Sequence, residues 1–211
     1  EGPIRIAVLG GGVAGCEVAM AAVHRMGKLG RVASVSVIDR GQVLSRVVPS
    51  ARRKLIAALD AHNVTLIENA NPAAIEGDAV VLTDGRRIAS DLTIGTAGAT
   101  PQAWIADIGL PCKDGFLEVD ETLRSPTDPS IYAAGDCAHL AHDPRPKAGV
   151  YAVRAAPILA HNLRAALLGT SQKPFHPQKD FLKLVSLGGQ NAVAEKSGLS
   201  FAGPMMWRLK N

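Results

Sequence analysis

Apolar and polar positions follow a regular order of short apolar runs and amphipathic stretches along the first seventy residues. The apolar run at 4–9 ends on glycines and predicts a buried parallel strand. The stretch at 13–26 predicts a helix that packs Cys16, Met20 and Val23 on a sheet. Further predicted elements are a strand at 33–39, a helix capped by Ser50 that ends near 62 and turns Leu55 and Leu59 inward, and a strand at 64–67. This order predicts an α/β fold in which a Rossmann-like domain holds a three-layer parallel sheet.

The pattern changes after this region. Strands at 79–83 and 86–94 flank the turn signal Asp84-Gly85, and a Gly-rich segment predicts a domain boundary near Gly98. Beyond it we expect strands at 116–119, 131–134, 181–187 and 192–195, and a helix at 150–168 that is kinked or broken by Pro157 and closed by Gly169. The predicted domains are 1–98, 99–170 and an incomplete extension at 171–211.

Composition narrows the class of protein. Of the 211 residues, 47% are hydrophobic and 20% charged, which excludes a disordered tail. The net charge of +4 is scattered and aromatics are only 4%, so we expect no nucleic-acid partner. Three distant cysteines form neither a disulfide framework nor a redox pair, which favours a cytoplasmic location.

A glycine-rich loop carries the first chemical signal. Residues 10–15, Gly10-Gly11-Gly12-Val13-Ala14-Gly15, match G-x-G-x-x-G between a predicted strand and a predicted helix. The first glycine permits a tight turn, the second leaves room for a pyrophosphate, and the third lets the helix approach the strand. A plain strand-to-helix turn is the alternative interpretation.

Asp39 is the acidic partner that such a loop requires. It ends the second predicted strand, 24 residues after Gly15, where a carboxylate accepts hydrogen bonds from the adenine ribose. A 2′-phosphate at ~4 Å would cost about 1 kcal/mol in water and roughly 4 kcal/mol at an effective dielectric of 20, which favours NADH over NADPH. Arg40 is counter-evidence, as are Arg46, Arg52 and Arg53, because an arginine can hold that phosphate. A solvated residue at a strand end is the simpler alternative.

Glu17 follows in the first turn of the predicted helix. The helix dipole stabilises a carboxylate there by about 0.3–1 kcal/mol, which is enough to explain it. The alternative is a contact with the nicotinamide side of a dinucleotide.

Several segments together resemble a known family. They are residues 10–17 (GGGVAGCE), 84–85 (DG), 96–101 (TAGATP) and 132–138 (YAAGDCA). In this order they resemble the pyridine nucleotide-disulfide oxidoreductase superfamily, and within it the type II NADH dehydrogenases. Residues 145–154 (RPKAGVYAVR) and 206–211 (MWRLKN) are most similar to the branch fused to selenide, water dikinase.

The resemblance implies a role for each matching position. Gly10, Gly12 and Gly15 would hold the NADH pyrophosphate, Glu17 would approach the nicotinamide, and Asp39 would bind the adenosine ribose. Gly98 would lie between the domains, Asp136 would accept a hydrogen bond from the ribityl chain of FAD, and the helix from Gly149 and Val150 would point at the flavin. The candidate cofactor-binding residues are Gly10, Gly11, Gly12, Val13, Ala14, Gly15, Glu17, Asp39, Arg40, Gly98, Gly135, Asp136, Gly149 and Val150.

The resemblance also implies an activity. The parent protein would pass hydride from NADH to FAD and electrons to a quinone or another small acceptor, with peripheral membrane contact through residues 205–210 and a fused kinase-type domain as further expectations. One glycine loop is present where the family has two, so we expect this chain to lack the N-terminal half of the FAD domain. The alternatives are an NAD(H)-binding sensor that regulates a kinase-type enzyme, and a structural protein, which the intact glycine loop disfavours.

Overall fold

A computed structural model describes residues 2–210 of this protein. The chain divides into two compact units: residues 2–97 with residues 180–210, and residues 98–179. The chain thus leaves the first unit after Ala97 and returns to it at Asp180.

The first unit is built on a parallel sheet with helices on one face. Its elements are β1 (Ile4–Leu9), α1 (Val13–Lys28), β2 (Ala33–Ile38), α2 (Pro49–Ala61), β3 (Thr65–Ile67), β4 (Pro72–Ile75), β5 (Ala79–Leu82), β6 (Arg87–Ala89) and β7 (Leu92–Gly95). The strand order is β3-β2-β1-β7, and all three pairings are parallel. The predicted Rossmann-like α/β fold is confirmed.

Side-chain alternation along β1 explains the layers. Ile6 and Val8 pack with the buried faces of α1 and α2 in one cluster, because alternate residues of a strand face the same side. Ala7 points to the other side and joins Val80 and Leu82 of the antiparallel meander β4-β5-β6. Helices, parallel sheet and meander therefore form three layers.

The second unit is smaller. It contains α3 (Trp104–Asp107), β8 (Cys112–Lys113), β9 (Phe116–Val119), a short 3₁₀ turn (Gly135–Cys137), β10 (Ala138–Leu140) and α4 (Gly149–Leu168). The strand order is β10-β9-β8, with β9 parallel to β10 and antiparallel to β8. The 3₁₀ turn packs against α4, which ends at Gly169 in the left-handed conformation, as predicted.

The last segment belongs to the first unit. It forms β11 (Lys183–Ser186), β12 (Ala192–Lys196), β13 (Leu199–Gly203) and α5 (Pro204–Lys210). The three strands form an antiparallel sheet that packs on α1 and α2. Composition and periodicity did not indicate this return.

Three local predictions were wrong. Ser50 does not cap α2; Val48 occupies the cap position, because Pro49 suits the first helical residue and needs no hydrogen-bond acceptor. The predicted strand at 86–94 is two strands, β6 and β7, that enter different sheets. The segment at 131–134 makes only a single bridge, between Tyr132 and Arg124. Helix α4 continues through Pro157, which excludes the predicted break, and a kink there stays a prediction.

Candidate functional site

The glycine loop, residues 10–15, joins β1 to α1 at the carboxyl end of the parallel sheet. Gly10 has φ +109°, and a Cβ there would lie 2.9 Å from the Ala97 backbone. A Cβ on Gly15 would lie 1.9 Å from the Gly10 carbonyl oxygen, so neither position tolerates a side chain. Gly12 is exposed, and a Cβ on it would meet open space. Gly10 and Gly15 therefore shape the loop, and Gly12 leaves its surface open.

Thr96 fixes the loop from the end of β7. Its hydroxyl lies 2.9 Å from the Leu9 carbonyl and 3.1 Å from the Gly10 carbonyl, while its backbone N–H donates to Leu9 at 2.7 Å. Neither composition nor periodicity predicts this role for Thr96. The only signal for it was its place in the TAGATP segment.

Asp39 directly follows β2 and lies beside the loop. One carboxylate oxygen accepts the Gly11 N–H at 2.6 Å and the other accepts the Gly41 N–H at 2.8 Å. Each oxygen still has a free lone pair, because a carboxylate accepts about four hydrogen bonds. The side chain is therefore oriented before any ligand arrives. Its neighbour Arg40 is exposed.

Glu17 is the fifth residue of α1, so its predicted place in the first turn was wrong. The helix begins at Val13, as predicted, and a helical turn holds about 3.6 residues, so Glu17 lies just beyond the first turn. The Glu17 carboxylate accepts the Ser186 N–H at 2.9 Å and forms an ion pair with Lys210. Glu17 thus joins α1 to the C-terminal segment, and its predicted nicotinamide contact stays a prediction.

Cys16 lies directly beneath the loop and is fully buried. Burial raises the pKa of its thiol to about 12, and the charge of Asp39 adds to the effect. The thiol is therefore protonated and unreactive at neutral pH.

The second unit holds the other predicted residues, and two of them, Gly135 and Asp136, line a cavity of about 190 Å³. Gly135 (φ +78°) and the exposed Asp136 form one wall, and Ala148, directly before α4, contributes to another. No side chain caps the start of α4 at Gly149 and Val150, so its first N–H groups are available to a ligand. Gly98, with φ +108°, is the first residue of this unit.

The chain is similar in sequence and in fold to known proteins. The family described as pyridine nucleotide-disulphide oxidoreductase matches residues 1–156. A rubredoxin-NAD(+) reductase of Pseudomonas putida is 40% identical over 141 residues, which are 63% of this chain and 34% of that protein. Demethylphylloquinone reductase NdbB of Synechocystis is 29% identical over 209 residues, 95% of this chain and 51% of that protein.

Ferroptosis suppressor protein 1 of Taeniopygia guttata is 30% identical over 208 residues, 92% of this chain and 54% of that protein. Among solved structures, Bacillus anthracis CoADR-RHD superposes with a TM-score of 0.70 at 22% identity, covering 92% of this chain and 34% of that one. A chain of the covalent putidaredoxin reductase–putidaredoxin complex superposes with a TM-score of 0.65 at 23% identity, covering 90% of this chain and 46% of that one. The structural matches support the fold, and this chain spans about a third to a half of its curated relatives.

Proposed function

Because this chain belongs to the pyridine nucleotide-disulphide oxidoreductase family, we propose that its first unit binds NADH and its second unit forms part of a FAD site. The parent protein would be a flavin-dependent NADH oxidoreductase. The observation that carries this proposal is the glycine loop, which is closed by contacts at Gly10 and Gly15 and open at Gly12.

The loop suits a diphosphate. Gly12 caps α1 without a hydrogen-bonding side chain, so the first N–H groups of the helix are available. These groups and the helix dipole stabilise negative charge at that end. Nothing lies within 4 Å of the position that a Gly12 Cβ would occupy, so a phosphate can approach the backbone closely.

Asp39 supports NADH over NADPH. The Gly11 and Gly41 N–H groups hold its carboxylate at the carboxyl end of β2, where an adenine ribose would offer hydroxyl donors. A 2′-phosphate would meet the same carboxylate and be repelled. Arg40 is exposed beside it and would weaken that repulsion.

When bound, FAD would supply the acceptor for a hydride from NADH. The nucleotide would be released as NAD⁺, and the flavin would gain two electrons and one proton and thus one negative charge. Asp136 would bind the ribityl chain, and the start of α4 would face the flavin with its positive end. The chain's residues would act by binding and orienting, so no side-chain acid or base is assigned.

The electron acceptor in this proposal is a quinone or a comparable small molecule. Support comes from demethylphylloquinone reductase NdbB, which matches 95% of this chain, whereas the rubredoxin reductase matches 63%. No helix among residues 2–210 is long and apolar enough to cross a membrane. Peripheral contact is favoured by exposed apolar side chains in the C-terminal segment: Leu199, Phe201, Met205 and Leu209. The fusion to selenide, water dikinase stays a prediction from the sequence.

Titration of the protein with NADH tests the first half of the proposal. We expect saturable binding, with NADPH weaker by at least several-fold. The flavin half is tested by loading the parent protein with FAD and adding NADH without oxygen, which should bleach the flavin's visible absorbance. Absence of NADH saturation up to about millimolar concentration would contradict the proposed dinucleotide site. Binding without bleaching would support a sensor instead.

A further inference from the structure

Lys147 occupies an unusual position in the cavity of the second unit. Its ammonium lies 3.9 Å from the centre of the Phe116 ring and donates a hydrogen bond to the Ala138 carbonyl. Lys147, Phe116 and Ala138 all line the cavity together with Asp136 and Tyr151. The ring and the carbonyl therefore hold the cation at the cavity wall.

This cation has no carboxylate partner within salt-bridge distance among residues 2–210. Asp136 acts on it only through its more distant charge, and burial lowers the pKa of Lys147. The ring face and the carbonyl stabilise the ammonium but do not neutralise it. A partly desolvated charge of this kind is stabilised when an anionic group enters the cavity.

The start of α4 adds to the positive potential. The helix begins at Gly149, two residues after Lys147, and Ala148 at its cap position offers no hydrogen-bonding side chain. The first N–H groups of α4 and the Lys147 ammonium thus belong to one continuous segment at the cavity. Two independent sources of positive charge act there.

We propose that Lys147 compensates the negative charge of the reduced flavin, and thereby makes the flavin easier to reduce. This proposal rests on the proposed function, because it requires that the cavity hold part of FAD. The residue acts as a fixed positive charge and transfers no proton. The contacts to Phe116 and Ala138 would keep the ammonium in place in both redox states.

The test compares wild type, Lys147→Met and Lys147→Arg in the parent flavoprotein, each loaded with FAD. Lys113→Met is the matched control, because it removes an exposed lysine of the same unit that does not line the cavity. Two measurements are made: the midpoint potential of the bound flavin, and its affinity for sulfite, which adds to oxidised flavin and leaves it negatively charged. Melting curves report whether each variant is folded.

For Lys147→Met we expect sulfite affinity to fall about tenfold, and the equilibrium constant for flavin reduction to fall by a similar factor. A tenfold change corresponds to a midpoint potential lower by about 30 mV for a two-electron couple. Lys147→Arg should retain most of both properties, and Lys113→Met should match wild type. Loss of flavin from Lys147→Met but not from Lys147→Arg would also support the proposal.

An unchanged potential and sulfite affinity in flavin-loaded Lys147→Met would overturn this inference and leave the proposed function intact. Loss of flavin from both Lys147 variants with normal melting curves would overturn it too. Because Lys147→Arg keeps the positive charge, that result would show that the flavin requires the shape of the lysine side chain and not its charge. Failure of wild type to bind FAD at all would overturn the proposed function together with this inference.

Discussion

At the scale of single residues, the three motif glycines of the loop, Gly10, Gly12 and Gly15, have different surroundings. Gly10 needs a positive φ, and Gly15 needs to be free of a Cβ because the Gly10 carbonyl is 1.9 Å from that position. Gly12 has φ −73°, which any residue can adopt. Its lack of a side chain therefore matters to a ligand and not to the fold.

This difference predicts opposite behaviour for two alanine variants. Gly15→Ala should lower the free energy of unfolding by about 1–3 kcal/mol, because the added methyl overpacks the helix against the strand. Gly12→Ala should leave the melting temperature nearly unchanged and weaken NADH binding at least tenfold. Thermal melting and NADH titration measure the two effects.

Gly27→Ala is the control, because it lies within α1 and a Cβ there meets no atom within 4 Å. It should be neutral or stabilising by up to about 1 kcal/mol, with unchanged NADH affinity. Equal loss of stability in the Gly12 and Gly15 variants would show that Gly12 is also required by the fold.

At the scale of elements, an ion pair helps to set how β1 and β7 join. The Arg5 guanidinium and backbone N–H both donate to the Asp91 carboxylate, and the Asp91 N–H donates to the Arg5 carbonyl at 2.8 Å. Asp91 directly precedes β7, so this contact fixes where the strand enters the sheet.

The pair predicts a pH dependence of stability. The contacts with Arg5 lower the pKa of Asp91 from 3.8 to about 2. A lowered carboxyl pKa stabilises the fold above the unfolded value, and that contribution is lost as pH falls from 3.8 towards 2. In urea unfolding, the stability difference between wild type and Asp91→Asn should therefore narrow over this range. Arg5→Gln should reduce the effect, while a constant difference down to pH 2 would contradict it.

Helix α4 offers a second test at this scale. Pro157 lies within it, lacks an N–H to donate to Val153 four residues earlier, and leaves that carbonyl to solvent. Pro157→Ala should raise the free energy of unfolding by about 1–3 kcal/mol in urea denaturation. A loss of stability would instead show that packing of α4 depends on the proline.

The same elements show what periodicity can and cannot predict. The parallel strands and α1 were predictable because burial imposes a repeat on their side chains, as at Cys16 and Met20. Strand β4 was missed because all four of its residues are exposed and carry no such repeat. The break between β6 and β7 was missed because buried Ser90 satisfies its hydroxyl locally, on Leu92 and Thr93, which composition does not reveal.

The candidate site divides in the same way. The glycine loop was predictable because a tight turn between a strand and a helix requires glycines at a fixed spacing in the sequence. Thr96 was not, because its hydroxyl acts on Leu9 and Gly10, which lie 87 and 86 residues away. Long-range contacts of this kind follow from the fold, so no local pattern contains them.

At the scale of the whole molecule, the C-terminal segment is fastened to the first unit at several points. The turn after β11 enters between α1 and α2, where a Cβ on Gly188 would lie 2.5 Å from the Met20 carbonyl. His62 holds the Leu187 carbonyl at 2.8 Å, and Lys54 binds Ser200 at 2.9 Å. Loss of the close approach at Gly188 should therefore loosen the whole segment.

A comparison of Gly188 with Gly198 distinguishes the effect of close packing on stability from the effect of backbone strain. Gly188 and Gly198 have nearly equal φ, +84° and +83°, but only Gly188 has neighbours within 4 Å. Gly198→Ala should cost about 1 kcal/mol for the left-handed conformation, and Gly188→Ala about 1–3 kcal/mol more. Thermal melting gives both values, and limited proteolysis should release the C-terminal segment earlier in Gly188→Ala. Equal costs at the two positions would contradict tight docking.

The route of the chain has a consequence for how the protein is made. Residues 98–179 emerge from the ribosome between the two portions of the first unit, so α1 and α2 keep part of their surface bare until the final strands and helix appear. Glu17 and Ser186, which are 169 residues apart in the sequence, come into contact only after that segment is made, and contacts over such a sequence separation form slowly. The nascent chain therefore exposes apolar surface of α1 and α2 until its C-terminal segment is made, and exposed surface of this kind favours aggregation.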